Sequence, residues 1–323
     1  MRARLPGWRA ALGALLLAGL TGCASLRAPD YGTGLPPAQA ARVELAEVPF
    51  HPQEEFQCGP AALATVLQSA GIDRTPEQLV EQVYLPQRQG SLQVELLGAS
   101  RRAGTVPYVL RPQADALLRE VAAGHPVVVL QDVGGLLRTQ WHYAVVVGYD
   151  LADQTLTLRS GTQRRLVMTV RDFDRTWARG ERWAFVALPP GRLPATANEP
   201  DYIAAAATFE RVTPALGPRA YAGALVAWPG NLFARLALGN AAYRQGRLDD
   251  ARRHYEQASR DHPEAADAWN NLAQVSFEQG RMPEARQAAR RAVAIGGPRL
   301  ATYEDTLATI EAKAGGASQG RPD

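Results

Sequence analysis

The chain of 323 residues is longer than one average domain, and its 46% hydrophobic and 21% charged residues are typical of a globular protein with a sizeable core. The formal net charge of +3 comes from Arg2, Arg4 and Arg9, because the first 22 residues contain no acid; without them the charge is 3 − 3 = 0. This neutral balance, with no stripe of basic and aromatic residues, excludes nucleic acid as an expected partner.

Residues 1–22 have the pattern of a signal peptide. The three arginines precede an apolar run from Ala10 to Leu20, which is too short to span a bilayer but fits the apolar segment of a signal peptide. The string that follows, Leu-Thr-Gly-Cys ending at Cys23, resembles a lipobox, which implies cleavage before Cys23 and acylation of its thiol. By analogy with Gram-negative lipoproteins, Ala24 after this cysteine implies a membrane anchor facing the periplasm, in the outer membrane. A signal peptide that happens to contain a cysteine is the alternative.

Helical patterns open the part of the chain that follows the leader. Residues 23–42 are rich in Pro, Gly and Ala and predict a flexible tether. An apolar stripe predicts a helix that begins near Cys58, and a capping box at Thr75 begins a second helix. Further helices are expected at 91–102 and 112–123.

Strand patterns come next. Short runs rich in β-branched and aromatic residues are separated by turn signals. They predict strands at 127–130, 143–149, 156–159, 166–170 and 183–188. Helices followed by strands are typical of an α+β domain with an antiparallel sheet, which we place at residues 43–188. Four prolines and the absence of periodicity then predict a linker at 189–200.

The last third of the chain repeats with a period of 34 residues. The shift places Gly246 on Gly280 and Ala251 on Ala285. This pattern resembles the tetratricopeptide repeat, which implies an all-α domain of paired helices that binds a peptide or a protein partner. A dimerisation surface and an unrelated helical bundle are the alternatives. The predicted ranges are 201–314 for the repeat domain, 232–265 and 266–299 for its two clearest copies, 300–314 for a capping helix and 315–323 for a disordered tail.

Cys58 is the only thiol that remains once Cys23 is acylated, because the chain has two cysteines. It stands at the start of a predicted helix, where the helix dipole and free amides lower a thiol pKa and favour the nucleophilic thiolate. His142 stands at the start of an apolar strand that can hold an imidazole beside a thiol. Each residue alone is more often structural. The five histidines lack the spacing of a metal site, so we expect neither a metal nor another cofactor.

The two segments together carry a family resemblance. The pattern Gln-x4-Cys-Gly-Pro-Ala-Ala-Leu begins at Gln53, and His-Tyr-Ala-Val-Val-Val-Gly-Tyr begins at His142. Together they resemble the bacteriocin-processing cysteine peptidase family, known from export transporters that trim double-glycine leaders. Over residues 46–188 the resemblance implies a papain-like fold, Cys58 as nucleophile, His142 as general base and Gln53 as a donor in the oxyanion hole.

One position departs from that family, which usually places an aspartate on the strand after the histidine. A symmetric hairpin that turns near residue 151 puts Ser160 opposite His142, since 142 + 160 = 2 × 151. A hydroxyl can accept a hydrogen bond from the imidazole but carries no charge. The sequence therefore predicts a membrane-anchored cysteine peptidase that acts on a peptide or protein. A catalytically weak or inactive peptide-binding scaffold and a transferase with the same Cys–His pair are the alternatives.

Overall fold

The structure is a computed structural model that describes residues 40–52, 57–135 and 138–318. The predicted signal peptide, Cys23 and Gln53 lie outside these residues. The strands of the described chain are β1 Arg42–Glu44, β2 Val106–Val109, β3 Val127–Asp132, β4 Trp141–Asp150, β5 Thr155–Ser160, β6 Gln163–Thr169 and β7 Ala184–Leu188. The α-helices are α1 Cys58–Ser69, α2 Pro76–Val83, α3 Gln93–Arg102, α4 Ala114–Ala122, α5 Val170–Arg179, α6 Glu199–Val212, α7 Gly217–Ala227, α8 Leu232–Arg244, α9 Leu248–Asp261, α10 Ala266–Glu278, α11 Met282–Ile295 and α12 Leu300–Ser318.

The strands form one antiparallel sheet in the order β2-β7-β3-β4-β5-β6, and β1 pairs with the far end of β4. The predicted α+β architecture with an antiparallel sheet is confirmed. Each predicted strand is present, and the predicted capping box is formed by Thr75 and Gln78 at the start of α2. The short strands β1 and β2 were not predicted, because four residues or fewer carry too little periodicity to stand out.

Helices cover both faces of the sheet. On one face, α1 to α3 bury an apolar cluster that includes Leu63, Leu67 and Leu96 against alternate residues of β4, among them Tyr143 and Val145. On the other face, α4 and α5 pack through apolar side chains onto the intervening residues of the strands. Because neighbouring residues of a strand point to opposite faces, β4 serves both cores and is buried along most of its length.

The first helices of the C-terminal region share the second of these cores. Tyr202 and Phe209 of α6 and Tyr221 of α7 are fully buried in one apolar cluster with the sheet, and this cluster reaches Ala234 of α8. The helical region therefore packs directly onto the sheet.

The segment predicted as a linker, 189–200, is fixed by hydrogen bonds. Glu120 of α4 is fully buried, and its carboxylate accepts bonds from the Thr196 amide at 2.8 Å, the Thr196 hydroxyl at 2.6 Å and the Ala195 amide at 3.2 Å. His125 lies 2.6 Å from the same carboxylate. The predicted linker is thus bound to the sheet domain by a buried acid, and α6 begins at Glu199 within it.

The predicted repeats are confirmed as the helix pairs α8–α9 and α10–α11, with α12 packed against the last pair. Gly246 and Gly280 end the first helix of each pair with φ of 69° and 73°, a conformation that favours glycine. Ala251 and Ala285 are fully buried where the helices meet.

Two predicted boundaries need correction. The tether was predicted to extend to residue 42, but Tyr149 Oη donates to Ala40 O at 3.0 Å and the Leu151 amide donates to Ala41 O at 2.9 Å. The tail was predicted to be disordered from residue 315, but α12 extends to Ser318. No helix in the described ranges combines the length and the apolar character needed to span a membrane.

Candidate active site

Cys58 is the first residue of α1, and its side chain is half-buried at the N-terminal end of that helix. Gly59 allows a close approach, since a Cβ there would lie 2.3 Å from Oγ of Ser91, just before α3. Pro60 occupies the first turn, where a helix does not need the missing amide. This Gly-Pro pair lets α1 begin at the cysteine while it presses against the start of α3.

His142 is the second residue of β4, and its ring reaches the end of β5. Its Nε2 lies 2.8 Å from Ser160 Oγ, at hydrogen-bond distance. When Nε2–H donates to this hydroxyl, Nδ1 keeps a lone pair that can accept a proton. The contact between Ser160 and His142 that the sequence predicts is therefore present in the structure.

The register that produces this contact differs from the symmetric hairpin of the prediction. The register shifts at a bulge between Val146 and Gly148, and the last pair towards His142 is Val145 with Arg159. Beyond that pair β5 leaves β4. Ser160 consequently meets His142 through its side chain and is not its directly paired residue.

The Cys58 thiol lies where β5 has left β4. Leu130, which pairs with Tyr143, donates its amide to Trp183 O on its other side. In an antiparallel ladder this means that the Tyr143 amide points away from β3, towards the side that β5 has vacated. That amide is close enough to the Cys58 sulfur to favour its thiolate form. The thiol thus lies against the residue that follows His142.

The side chain of Tyr143 secures this part of β4. Its hydroxyl donates to Ser91 O at 3.2 Å, and its ring packs edge-on against Trp183 with centroids 6.0 Å apart. Sequence reasoning missed Tyr143, because a backbone donor has no residue signature. Only the place where strand pairing stops could point to it.

Burial shifts both Cys58 and His142 towards their neutral forms. Desolvation raises the pKa of Cys58 above its ordinary value, and the amides of Tyr143 and Gly59 oppose this shift without cancelling it. Desolvation also lowers the pKa of His142. The predicted lowering of the Cys58 pKa is therefore wrong, because the loss of water around the sulfur outweighs the amides at the helix start.

The other predicted residues are placed as follows. Gln53 and Cys23 lie outside the described residues, so their roles stay predictions. His51 is held by Gln68 of α1, with Nε2 3.0 Å from Oε1. Within the described ranges, no group of three or more His, Cys, Asp or Glu side chains is arranged to hold a metal ion.

Two family models match the chain. Residues 45–183 match the Peptidase_C39 like family, and residues 236–299 match the tetratricopeptide repeat. A curated relative, Stress-induced-phosphoprotein 1 of Caenorhabditis elegans, is 36% identical over 86 residues. This match spans 27% of either chain, so the chain covers about a quarter of that relative.

Two solved structures are similar to the first part of the chain. A putative C39-like peptidase from Bacillus anthracis has 17% identity and a TM-score of 0.38, over 46% of this chain and 97% of the other. The peptidase domain of Streptococcus ComA, a bi-functional ABC transporter involved in a quorum sensing pathway, has 20% identity and a TM-score of 0.37, over 44% and 99%. On the evidence of its sheet, its repeats and the two family models, the chain joins a C39-like peptidase domain to tetratricopeptide repeats.

Proposed function

We propose that this protein is a cysteine peptidase that hydrolyses peptide bonds in an exported peptide or protein, with Cys58 as nucleophile and His142 as general base. The observation that carries the proposal is the 2.8 Å contact from His142 Nε2 to Ser160 Oγ, which leaves Nδ1 free to accept a proton. Cys58 begins a helix, and its thiol lies near Tyr143, the residue that follows His142. The match of residues 45–183 to a peptidase family supports it.

The reaction starts from a neutral pair, since burial raises the pKa of Cys58 and lowers that of His142. As the sulfur forms a bond to the substrate carbonyl carbon, the thiol proton passes to Nδ1 of His142. The amides of Cys58 and Gly59 at the start of α1 can donate to the resulting oxyanion, with Gln53 as the predicted side-chain donor. The C–N bond then breaks, the leaving amine takes the proton from His142, and water hydrolyses the thioester.

The test is cleavage of a peptide mixture prepared from a bacterial periplasm, with products identified by mass spectrometry. Wild-type protein should produce new peptide termini, and both Cys58→Ala and His142→Ala should abolish them. His254→Ala is the matched control, since this half-buried histidine lies in the repeats, and it should cleave like wild type. Equal cleavage by Cys58→Ala and wild type would contradict the proposal.

A peptide-binding scaffold is the second candidate function. The neutral Ser160 hydroxyl favours it, because an uncharged partner stabilises an imidazolium less than a carboxylate does. In that case wild type releases no new termini, and Cys58→Ala captures the same peptides as wild type. Transfer chemistry by the same pair would instead give products that carry an added amine nucleophile.

We propose that the repeats bind the substrate or a protein partner, and that Cys23 carries a lipid that anchors the mature chain on the periplasmic side of a membrane. The arginines before the apolar run and the lipobox-like string support the anchor. Metabolic labelling with an alkyne analogue of palmitate should mark the wild-type chain and leave Cys23→Ser unmarked. A labelled Cys23→Ser chain would contradict acylation at this residue.

A further inference from the structure

Arg159 of β5 is a buried arginine, with 4% of its surface exposed. Its guanidinium donates to Arg164 O at 2.7 Å and to Ala46 O at 3.1 Å. It also donates to Val48 O at 3.3 Å and makes a longer contact of 3.5 Å with Leu45 O. Every one of these acceptors is a backbone carbonyl. The buried cation therefore joins two chain segments through their main chains.

These two segments flank the end of β5 that carries Ser160. Residues 45–48 follow β1, whereas Arg164 belongs to β6, just beyond the turn that connects β5 to β6. We call residues 45–48, Arg164 and the guanidinium between them the arginine clamp. The clamp thus fixes the strand end from both sides.

Ser160 depends on this clamp because the β4 ladder does not reach it. Arg159 is the last β5 residue paired with β4, whereas Ser160 pairs with Gln163 of β6. The register of β5 with β6 shifts between Leu158 and Ser160, so this strand end departs from a regular ladder. The guanidinium holds the backbone carbonyls on either side of it, while the Ser160 hydroxyl meets the ring of His142.

We propose that Arg159 is a positioning residue of the active site, whose clamp keeps Ser160 Oγ at hydrogen-bond distance from His142 Nε2. Arg159 touches neither the thiol nor the ring and acts through Ser160. The inference rests on the proposed function for its effect on cleavage. The orientation and tautomer of the His142 ring do not depend on cleavage and can be measured separately.

Nitrogen NMR of the His142 ring gives a readout that a merely structural role of Arg159 would leave unchanged. Wild type should show one neutral tautomer, with the proton on Nε2, because Ser160 accepts it. Arg159→Met and Ser160→Ala should both give a mixture of tautomers, and Arg159→Lys should lie between them and wild type. Arg164→Met is the matched control, since the clamp uses only the carbonyl of that residue, and it should retain the single tautomer.

Cleavage kinetics then test whether Arg159 acts through Ser160. Arg159→Met should lower kcat about tenfold, as expected for loss of one hydrogen bond to a group that becomes charged, with KM unchanged. The double variant Arg159→Met/Ser160→Ala should lose no more than Ser160→Ala alone.

A wild-type tautomer in folded Arg159→Met would overturn the inference, as would losses that multiply in the double variant. If Arg159→Met does not fold, a wild-type tautomer in Arg159→Lys would overturn it in the same way. Absence of cleavage by wild type would remove the proposed function, while the nitrogen spectrum would still decide the role of Arg159.

Discussion

Replacing Ser160 by aspartate tests whether this site lacks only a negative charge. Ser160 Oγ lies 2.8 Å from His142 Nε2, so a carboxylate oxygen in its place can form a charge-assisted hydrogen bond with the protonated ring. A neutral hydrogen bond contributes about 1 kcal/mol and one with a charged partner about 1.5–3 kcal/mol. The difference of about 0.5–2 kcal/mol should raise the pKa of His142 by about one unit in Ser160→Asp.

The measurement is a nitrogen NMR titration of His142, combined with the pH dependence of Cys58 alkylation by iodoacetamide. An imidazolium that persists to higher pH stabilises the neighbouring thiolate, so Ser160→Asp should also lower the pKa of Cys58 and speed alkylation near neutral pH. Ser160→Asn is the matched control, because it has nearly the size of aspartate without its charge. If the two variants titrate His142 at the same pH, the missing charge does not govern the site and the reasoning fails.

Three further predictions concern stability and pH. Glu120→Ala should lower the free energy of unfolding in urea by about 3 kcal/mol, since it leaves buried amides without an acceptor; exposed Glu304→Ala is the control, and equal midpoints would refute this. Gly239→Ala should lower it by about 1–3 kcal/mol, because the new Cβ would lie 2.4 Å from the Tyr255 ring; an unchanged midpoint would show that the ring moves freely. Since burial raises the pKa of Cys58, wild-type alkylation should rise with a midpoint above that of an ordinary thiol; a midpoint below pH ~8 contradicts it.

The parts of the site that the sequence predicts depend on local rules. A Gly-Pro pair after Cys58 indicates a helix start, and an apolar run after His142 indicates a buried strand. Counting along a hairpin was sufficient to select Ser160, even though the bulge changes the register. His142 and Ser160 lie at the open end of this hairpin, where the imidazole reaches the hydroxyl across the shifted register, so this prediction tolerates the error.

The parts that the sequence did not predict depend on distant contacts. The desolvation that raises the Cys58 pKa comes from packing against β4 and α3, which no helix-start rule includes. In the sequence Glu120 is an ordinary helix residue. Its role depends on the Thr196 amide, which donates to its carboxylate from 76 positions away. In the sequence Arg159 is an ordinary strand residue. Its role depends on hydrogen bonds to the carbonyls of residues 45–48, which are more than 100 positions away.

The core that α6 to α8 share with the sheet has a consequence for how far apart two bound points of one peptide can lie. A domain on a flexible chain samples many distances, and its effective concentration falls as that chain lengthens. Here Tyr202 and Phe209 fix the first helices of the repeat array to the sheet, so the spacing between the array and Cys58 is constant. If one peptide binds to the array and to the active site, the length of peptide between the two contacts would decide which of its bonds lies at the thiol. The array would then set the distance along the peptide at which cleavage occurs.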